Sequence, residues 1–160
     1  MRKMIPILAI IITFLSVQAK SAEPIAINTV NECSDIITTL DFCSDVDALF
    51  NILKTSVNDS QKNAANNIMI PYKKTPCLMK LLLSARQTIN GIAYTTPLHL
   101  VAKGNNYGTA ALVFQKASVL PDYDLFAREM ANAIDADGNK PIDYATNPQL
   151  ISLLSYFTDP

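Results

Sequence analysis

The chain is expected to be all-α, built from short helices. Three observations carry that expectation. Thr96-Pro97-Leu98-His99-Leu100 sets a Thr directly ahead of a Pro and a short apolar run. A weaker copy, Lys140-Pro141-Ile142-Asp143-Tyr144-Ala145, follows, with the two prolines 44 residues apart. Upstream, Val46, Leu49, Phe50 and Leu53 recur at helical intervals. Pro at the first helical position gives up no hydrogen bond, because that N–H has no partner inside the helix. A Thr hydroxyl ahead of it caps the helix start.

The elements follow in order. Met1-Arg2-Lys3 is a positive n-region, and Ile5 to Leu15 is an apolar core interrupted by Pro6 and Thr13. Val17-Gln18-Ala19 supplies small residues ahead of a cut. Residues 1–19 therefore read as a signal peptide cleaved after Ala19. The alternative is an uncleaved anchor, for which the apolar stretch is short of the ~20 residues a span needs. Lys20 to Asn31 is a polar, extended lead containing Pro24. Ser34-Asp35 followed by Ile36, Ile37 and Leu40 suggests a short helix. Ser44 is placed to cap the next one, with Asp45 and Asp47 favouring its N-terminal dipole. Asp59-Ser60 opens a third, carrying Ala64, Ala65, Ile68 and Met69, which Pro71 ends. Residues 20–70 are thus expected to form an irregular helical N-terminal cap or one diverged repeat.

Residues 71–160 show a repeating order. Leu82, Leu83, Ile89 and Asn90 precede the first Pro motif. Asn132-Ala133-Ile134-Asp135-Ala136-Asp137-Gly138-Asn139 precedes the second. With Thr96-Pro97-Leu98-His99 these resemble the ankyrin repeat, a unit of about 33 residues holding a β-turn and two helices. The resemblance covers residues 76–157, about half of the chain's 160. It implies a short ankyrin-type α-solenoid of helix pairs. The Pro-to-Pro interval exceeds the family unit, and the excess falls in an insertion at about 118–131. There Asp122 or Asp124 is placed to cap a further helix with Leu125, Phe126 and Met130 on one side. Tyr94 stands at the usual Gly position, Lys140 at the usual Thr and Asp143 at the usual His. Pro148 opens the last helix of a degenerate final unit.

Composition excludes several classes. Without residues 1–19, 11 basic residues face 14 acidic ones, a net charge of −3. Displacing counterions from nucleic-acid phosphates needs clustered Lys and Arg, and only Lys73-Lys74 are adjacent. Neither nucleic acid nor a membrane surface is an expected partner after cleavage. The cysteines are Cys33, Cys43 and Cys77. Export permits a disulfide, and Cys33–Cys43 is the local candidate, provided the backbone breaks near Thr39-Leu40-Asp41. Other pairings and free thiols stay open. C-x-x-C is absent, so neither redox chemistry nor a zinc knuckle is expected.

His99 is the sole histidine. The resemblance makes it a buried structural residue, hydrogen-bonded to backbone of neighbouring turns, together with Thr96, Pro97, Gly138 and Pro141. Asp135, Asp137 and Asp143 around Gly138 suggest a calcium loop, but the closing Glu is missing. A hairpin with Asp135 accepting turn N–H groups is the simpler reading. Gly104-Asn105-Asn106-Tyr107-Gly108 lacks P-loop spacing and reads as a turn in which Gly104 or Asn105 is left-handed.

No cofactor or metal is expected. The resemblance implies a protein partner held by hairpin tips and the first helix: Ile92, Ala93, Thr95, Ala136, Asp137, Asn139 and Lys103. Tyr94 and Tyr107 join them as neighbouring aromatics suited to interfaces. The functional expectation is an exported, non-catalytic protein-interaction module, periplasmic or secreted as an effector, with inhibitor or immunity-type proteins as a subclass. The competing class is a small hydrolase or toxin-like enzyme built on Asp135, Asp137 and Asp143.

Overall fold

The computed structural model describes residues 42–54 and 59–160. Its described residues hold seven α-helices and one short hairpin, so the chain is all-α in class. Helix α1 is Phe42–Lys54, α2 Asp59–Met69, α3 Pro76–Ser84, α4 Pro97–Lys103, α5 Tyr107–Ala117, α6 Tyr123–Ala131 and α7 Pro148–Phe157. A 3₁₀ turn at Ile70–Lys74 joins α2 to α3, and another spans Pro141–Tyr144. The expected signal peptide (1–19), the lead to Asn31, the helix at Ile36–Leu40 and Cys33 lie outside the described residues. Among the described residues, no helix is long and apolar enough to cross a membrane.

Helix starts follow the side chains that satisfy free N–H groups. Thr96 Oγ1 accepts from His99 N–H at the start of α4. Asn106 caps α5 through Thr109 N–H, and Asn147 caps α7 through Gln149 and Leu150 N–H. Pro97 and Pro148 stand at the first position of their helices. Helix α1 starts at Phe42, ahead of the expected Ser44 cap. Packing explains the early start: the Phe42 ring meets Tyr72 edge-on at 5.9 Å, and Tyr72 OH donates to the Asp45 carboxylate. Pro141 opens a single 3₁₀ turn rather than an α-helix.

The helices stack in two rows. In one row α4 packs against α1 on one side and against the Pro141–Tyr144 turn on the other. In the second row α5 packs against α2 and α3, and then against α7. Within each level the rows also touch: α1 meets α2, α4 meets α5, and the 141–144 turn meets α7. The interior between them holds Phe50, Leu53, Met69, Leu82, Leu98, Val101, Val113, Leu150 and Leu154, all buried. The stripe expected on α1 is present, with Leu49, Phe50 and Leu53 buried and Val46 packed beside them.

The stretch expected as an insertion builds α6, which packs on α3, α5 and α7. Phe126 and Met130 are buried, one turn apart, whereas Leu125 is 59% exposed. A neighbouring position on a helix points about 100° away, so Leu125 does not share their face. Asp122 stands ahead of α6 but does not cap it. Its carboxylate instead takes Lys80 Nζ of α3 at 2.7 Å. That hydrogen bond from Lys80 is the main reason the Asp122 carboxyl is held below its ordinary pKa. The same ammonium lies 5.4 Å from the Phe126 ring centre. Phe114 of α5 stacks on Phe157 of α7 at 4.7 Å, and Tyr123 of α6 meets Phe157 edge-on.

The Cys33–Cys43 pair is not formed. Cys43 projects from the outward side of α1 as a free, exposed thiol, while Cys77, half-buried in the first turn of α3, is disulfide-bonded.

The packing of α6 gives a paired prediction. Phe126→Ala removes a fully buried ring and is expected to cost about 3–5 kcal/mol in urea unfolding. Leu125→Ser is expected to stay within about 0.5 kcal/mol of wild type. Equal losses would show that the α6 face is wrongly assigned.

Candidate interaction surface

The hairpin ahead of α4 starts from its turn. Strands Gln87–Ile89 (β1) and Ile92–Thr95 (β2) are antiparallel. Asn90 and Gly91 link them with φ of 52° and 85°. Positive φ at both central residues is the signature of a two-residue Asn-Gly turn whose twist matches the strands. The register pairs Ile89 with Ile92 and Gln87 with Thr95. Thr88 therefore faces two residues, Ala93 and Tyr94, and the extra residue makes a bulge. Tyr94 sits in it at φ 61°. A Cβ in that region crowds the following carbonyl, at about 1–2 kcal/mol for an ordinary L-residue. The backbone here takes the conformation for which Gly is suited. The Tyr94 side chain is 39% exposed.

The bulge also sets the fate of Thr95. Its side chain turns inward, is fully buried, and its hydroxyl donates to Ile92 O at 3.0 Å. Thr95 is therefore a core residue, not the surface residue expected. Ile92 and Ala93 are half-buried, while Ala136 and Asp137 are exposed.

Behind these residues lies a polar network joining two levels of the stack. Thr96 N–H donates to His99 Nδ1 at 3.2 Å, with Thr96 Oγ1 at 2.7 Å from the same nitrogen. A backbone N–H can only donate, so Nδ1 carries the lone pair and Nε2 the proton. Nε2–H then donates to Asn139 O, 40 residues along, at 3.1 Å. His99 is fully buried. Burial lowers its pKa from the ordinary 6.5, outweighing the Asn139 carbonyl and the Asp135 charge, which act upward. The ring is thus neutral at pH 7.

Asp135 holds the second turn. Its Oδ1 accepts from Asp137 N–H at 3.0 Å and Asn139 N–H at 3.1 Å, and Oδ2 accepts from Tyr144 OH at 2.6 Å. Burial alone would raise its pKa, but these hydrogen bonds outweigh it and hold the carboxyl below the ordinary 3.8. Tyr144 is shifted up, first by burial and then by its bond to Asp135. Gly138 supplies the positive φ, 83°, that closes the turn. Asp143 Oδ2 accepts from Lys140 N–H at 2.7 Å, so it serves the Pro141 turn as His99 serves α4. Of the three carboxylates, Asp135 and Asp143 are bonded to backbone N–H groups, which is the hairpin reading rather than an open site.

Two further bonds cross between levels. Ala136 N–H donates to Ala93 O at 2.9 Å, tying the hairpin to the Asp135–Asn139 turn. Asn105, left-handed at φ 50°, accepts from Thr146 N–H at 2.6 Å and Asn147 N–H at 3.0 Å. Gly104 is right-handed, with φ −77°, so of the two candidates the turn uses Asn105.

The structure divides the expected surface residues. Tyr94 in the bulge of β2 and Ala136 and Asp137 on the Asp135–Asn139 turn are exposed, with Ile92 and Ala93 partly covered. Asn139 is spent on the network, its Nδ2 donating to Tyr144 OH at 3.0 Å. Lys103 lies at the other end of α4, Nζ 4.1 Å from the Tyr144 ring centre. That contact holds its ammonium partly engaged at the surface. Tyr107 belongs elsewhere. It lines an open groove of about 560 Å³ with Pro148, Gln149, Ser152, Leu153 and Tyr156. Sequence reading missed Tyr144 and Asn105 as cross-level partners. The only signal for Tyr144 was its place in the second Pro motif, and for Asn105 its tolerance of left-handed backbone.

No protein-family model, curated protein or solved structure matches this chain.

The strain at Tyr94 is measurable. Tyr94→Gly is expected to be more stable than Tyr94→Ala by about 1 kcal/mol, because only Gly removes the Cβ clash and its entropy cost offsets part of the gain. Denaturant titration of the two variants checks this. An Ala variant at least as stable as Gly would mean that position 94 carries no backbone strain.

Proposed function

We propose that this chain is a non-catalytic protein-binding module of ankyrin type, exported by its N-terminal leader to the periplasm or beyond the cell. The observation that carries the reading is Tyr94. A bulky aromatic is kept at a backbone position suited to Gly, φ 61°, and its side chain is left partly open to solvent. Strained residues persist where the surrounding structure over-determines them, and they cluster at functional positions. Tyr offers large contact area, few rotors and a hydroxyl, which suits an interface anchor.

Three other features support the repeat part of the reading. Pro97 and Pro141 open helical turns in contacting levels of one row. The hairpin and the Asp135–Asn139 turn are joined through Ala93 and Ala136. A buried His after a Thr-Pro-Leu start reaches the next turn. Stacking of this kind buries a continuous core that no single unit buries alone. The contact face in this reading is β2 with the Asp135–Asn139 turn, Tyr94 with Ile92, Ala93, Ala136 and Asp137, extended along α4 to Lys103. The hydrolase reading gains nothing from the carboxylates, because Asp135 and Asp143 already hold backbone N–H groups.

The test starts with the exported chain as bait in periplasmic and host extracts, followed by calorimetry with the isolated partner. Tyr94→Ala and Tyr94→Gly are each expected to weaken binding by about 2 kcal/mol, roughly 30-fold, with the fold intact. Lys103→Glu is expected to weaken it less. Saturable binding that ignores all three substitutions would reject this face. Turnover of a substrate by the chain alone would reject the non-catalytic reading.

A further inference from the structure

The groove beside Tyr107 takes no part in the Tyr94 face, and its lining has a chemistry of its own. Helix α7 has no charged residue, whereas every other described α-helix has at least one. Gln149, Ser152, Leu153 and Tyr156 fall at i, i+3, i+4 and i+7 and share one side of it. Phe114, two turns into α5, stacks on Phe157 at the end of α7. Asn105, just ahead of α5, accepts from Asn147 N–H, just ahead of α7. The two helices therefore run side by side in one direction, and Tyr107 and Tyr156 mark opposite ends of the groove.

We propose that this groove binds a proline-rich peptide of a partner protein in the polyproline II conformation, with an acidic residue at the Tyr107 end. The site is separate from the Tyr94 face and does not depend on what binds there.

The occupant follows from what the lining offers. Tyr107 is 42% exposed and Tyr156 74%. Rings presented in this way give flat walls against which proline rings pack. Pro148 and the half-buried Leu153 add apolar surface between them. The Tyr107, Ser152 and Tyr156 hydroxyls and the Gln149 amide are hydrogen-bonded to no other described residue. They are donors, and a polyproline II strand has what they need, because its carbonyls make no internal hydrogen bonds. Length agrees as well. Pro148 to Tyr156 covers about 12 Å of helix, the reach of about four residues rising 3.1 Å each.

Other backbone forms fit less well. A strand needs a free edge to pair with, and the backbone groups of α7 are bonded within the helix. A docked helix needs a continuous apolar floor for its anchors, and Gln149 and Ser152 interrupt this one. Charge selects the flank of the peptide. The lining is uncharged, but Lys62 of α2 borders its Tyr107 end, with Nζ 3.7 Å from where a Cβ on Gly108 would stand. Lys62 is half-buried and has no acidic partner among the described residues. An acidic residue beside the prolines supplies one.

Amide NMR of the whole chain, titrated with synthetic peptides, tests this. The probes are decaproline, decaproline with two Glu at each end, the same with two Lys, and a Gly-Ser decapeptide. The Glu-flanked peptide is expected to shift the Gln149, Ser152 and Leu153 amides and to saturate below about 1 mM. Its affinity is expected to exceed that of the Lys-flanked peptide by about 3-fold. Tyr156→Ala is expected to weaken binding by about 10-fold with an unchanged melting temperature. Lys62→Glu is expected to invert the order of the two flanked peptides, and Tyr94→Ala to leave all affinities within about 2-fold. Amides that ignore the proline peptides, shift as much with the Gly-Ser peptide, or do not favour the Glu flanks would each overturn the proposal. So would a folded Tyr156→Ala chain that binds like wild type. The same amides shifting with protein concentration alone would give this face to a second copy of the chain, and would overturn it too.

Discussion

The structure depends on stacking, because none of its parts is stable alone. The longest described helix has 13 residues and the shortest 7. Isolated helices of such length are marginal in water even with favourable composition. Each helix therefore gains its order from the apolar face it shares with the levels on either side. Leu98 and Val101 of α4 and Val113 of α5 are buried only because α1, α2 and α3 lie on one side and the final level on the other. Apolar contact is non-directional, however, and does not fix how one level is turned on the next.

Directional bonds supply that register. His99 to Asn139, Ala93 to Ala136, and Asn105 to Thr146 and Asn147 span 40 to 43 residues of sequence. They lie at three places: the helix start, strand β2 and the turn between helices. Together they allow one orientation of the final level. Asp135 completes the arrangement from within, since its carboxylate shapes the turn whose Asn139 carbonyl meets the imidazole. The buried polar groups here are thus paired, as burial requires. Helix α6 plays a different part. Placed between the repeating elements, it lies over α3, α5 and α7, and the Lys80–Asp122 pair anchors its start. Its contacts add cover to the second row without entering the first.

The Pro motifs, the helix cap at Thr96 and the apolar stripe of α1 were legible because they rest on local rules. A hydroxyl ahead of a helix, a Pro in its first turn and a 3.6-residue period need no knowledge of the rest of the chain. The burial of His99, the Asp135 turn and the positive φ of Gly138 were legible through resemblance. What the sequence hid was tertiary. Leu125 and Phe126 are adjacent apolar residues, and only packing on α3 and α5 decides which one turns inward. Thr95 reads as a polar strand end, and the bulge at Tyr94 reverses its direction. Cys43 was the near cysteine in sequence, but α1 carries it to the outside. The Asn90-Gly91 pair was a strong local turn signal that sequence reading passed over in favour of the family pattern.

The difference between His99 and Asp143, at like places of the two Pro motifs, has a physical reason in this setting. Both residues stand three positions after a residue whose N–H needs an acceptor, Thr96 in one case and Lys140 in the other. Asp143 Oδ2 meets that need at 2.7 Å and His99 Nδ1 at 3.2 Å. An imidazole adds one thing a carboxylate cannot, a second nitrogen that donates across to another level. At His99 that donor meets Asn139 O. At Asp143 the side chain is exposed, and no further hairpin of the described chain faces it. A His there would have its second nitrogen in water, while an Asp also complements the positive end of the turn it caps. The two side chains thus differ by what each level must face: a donor is needed where a level is covered, and an acceptor suffices where it is not.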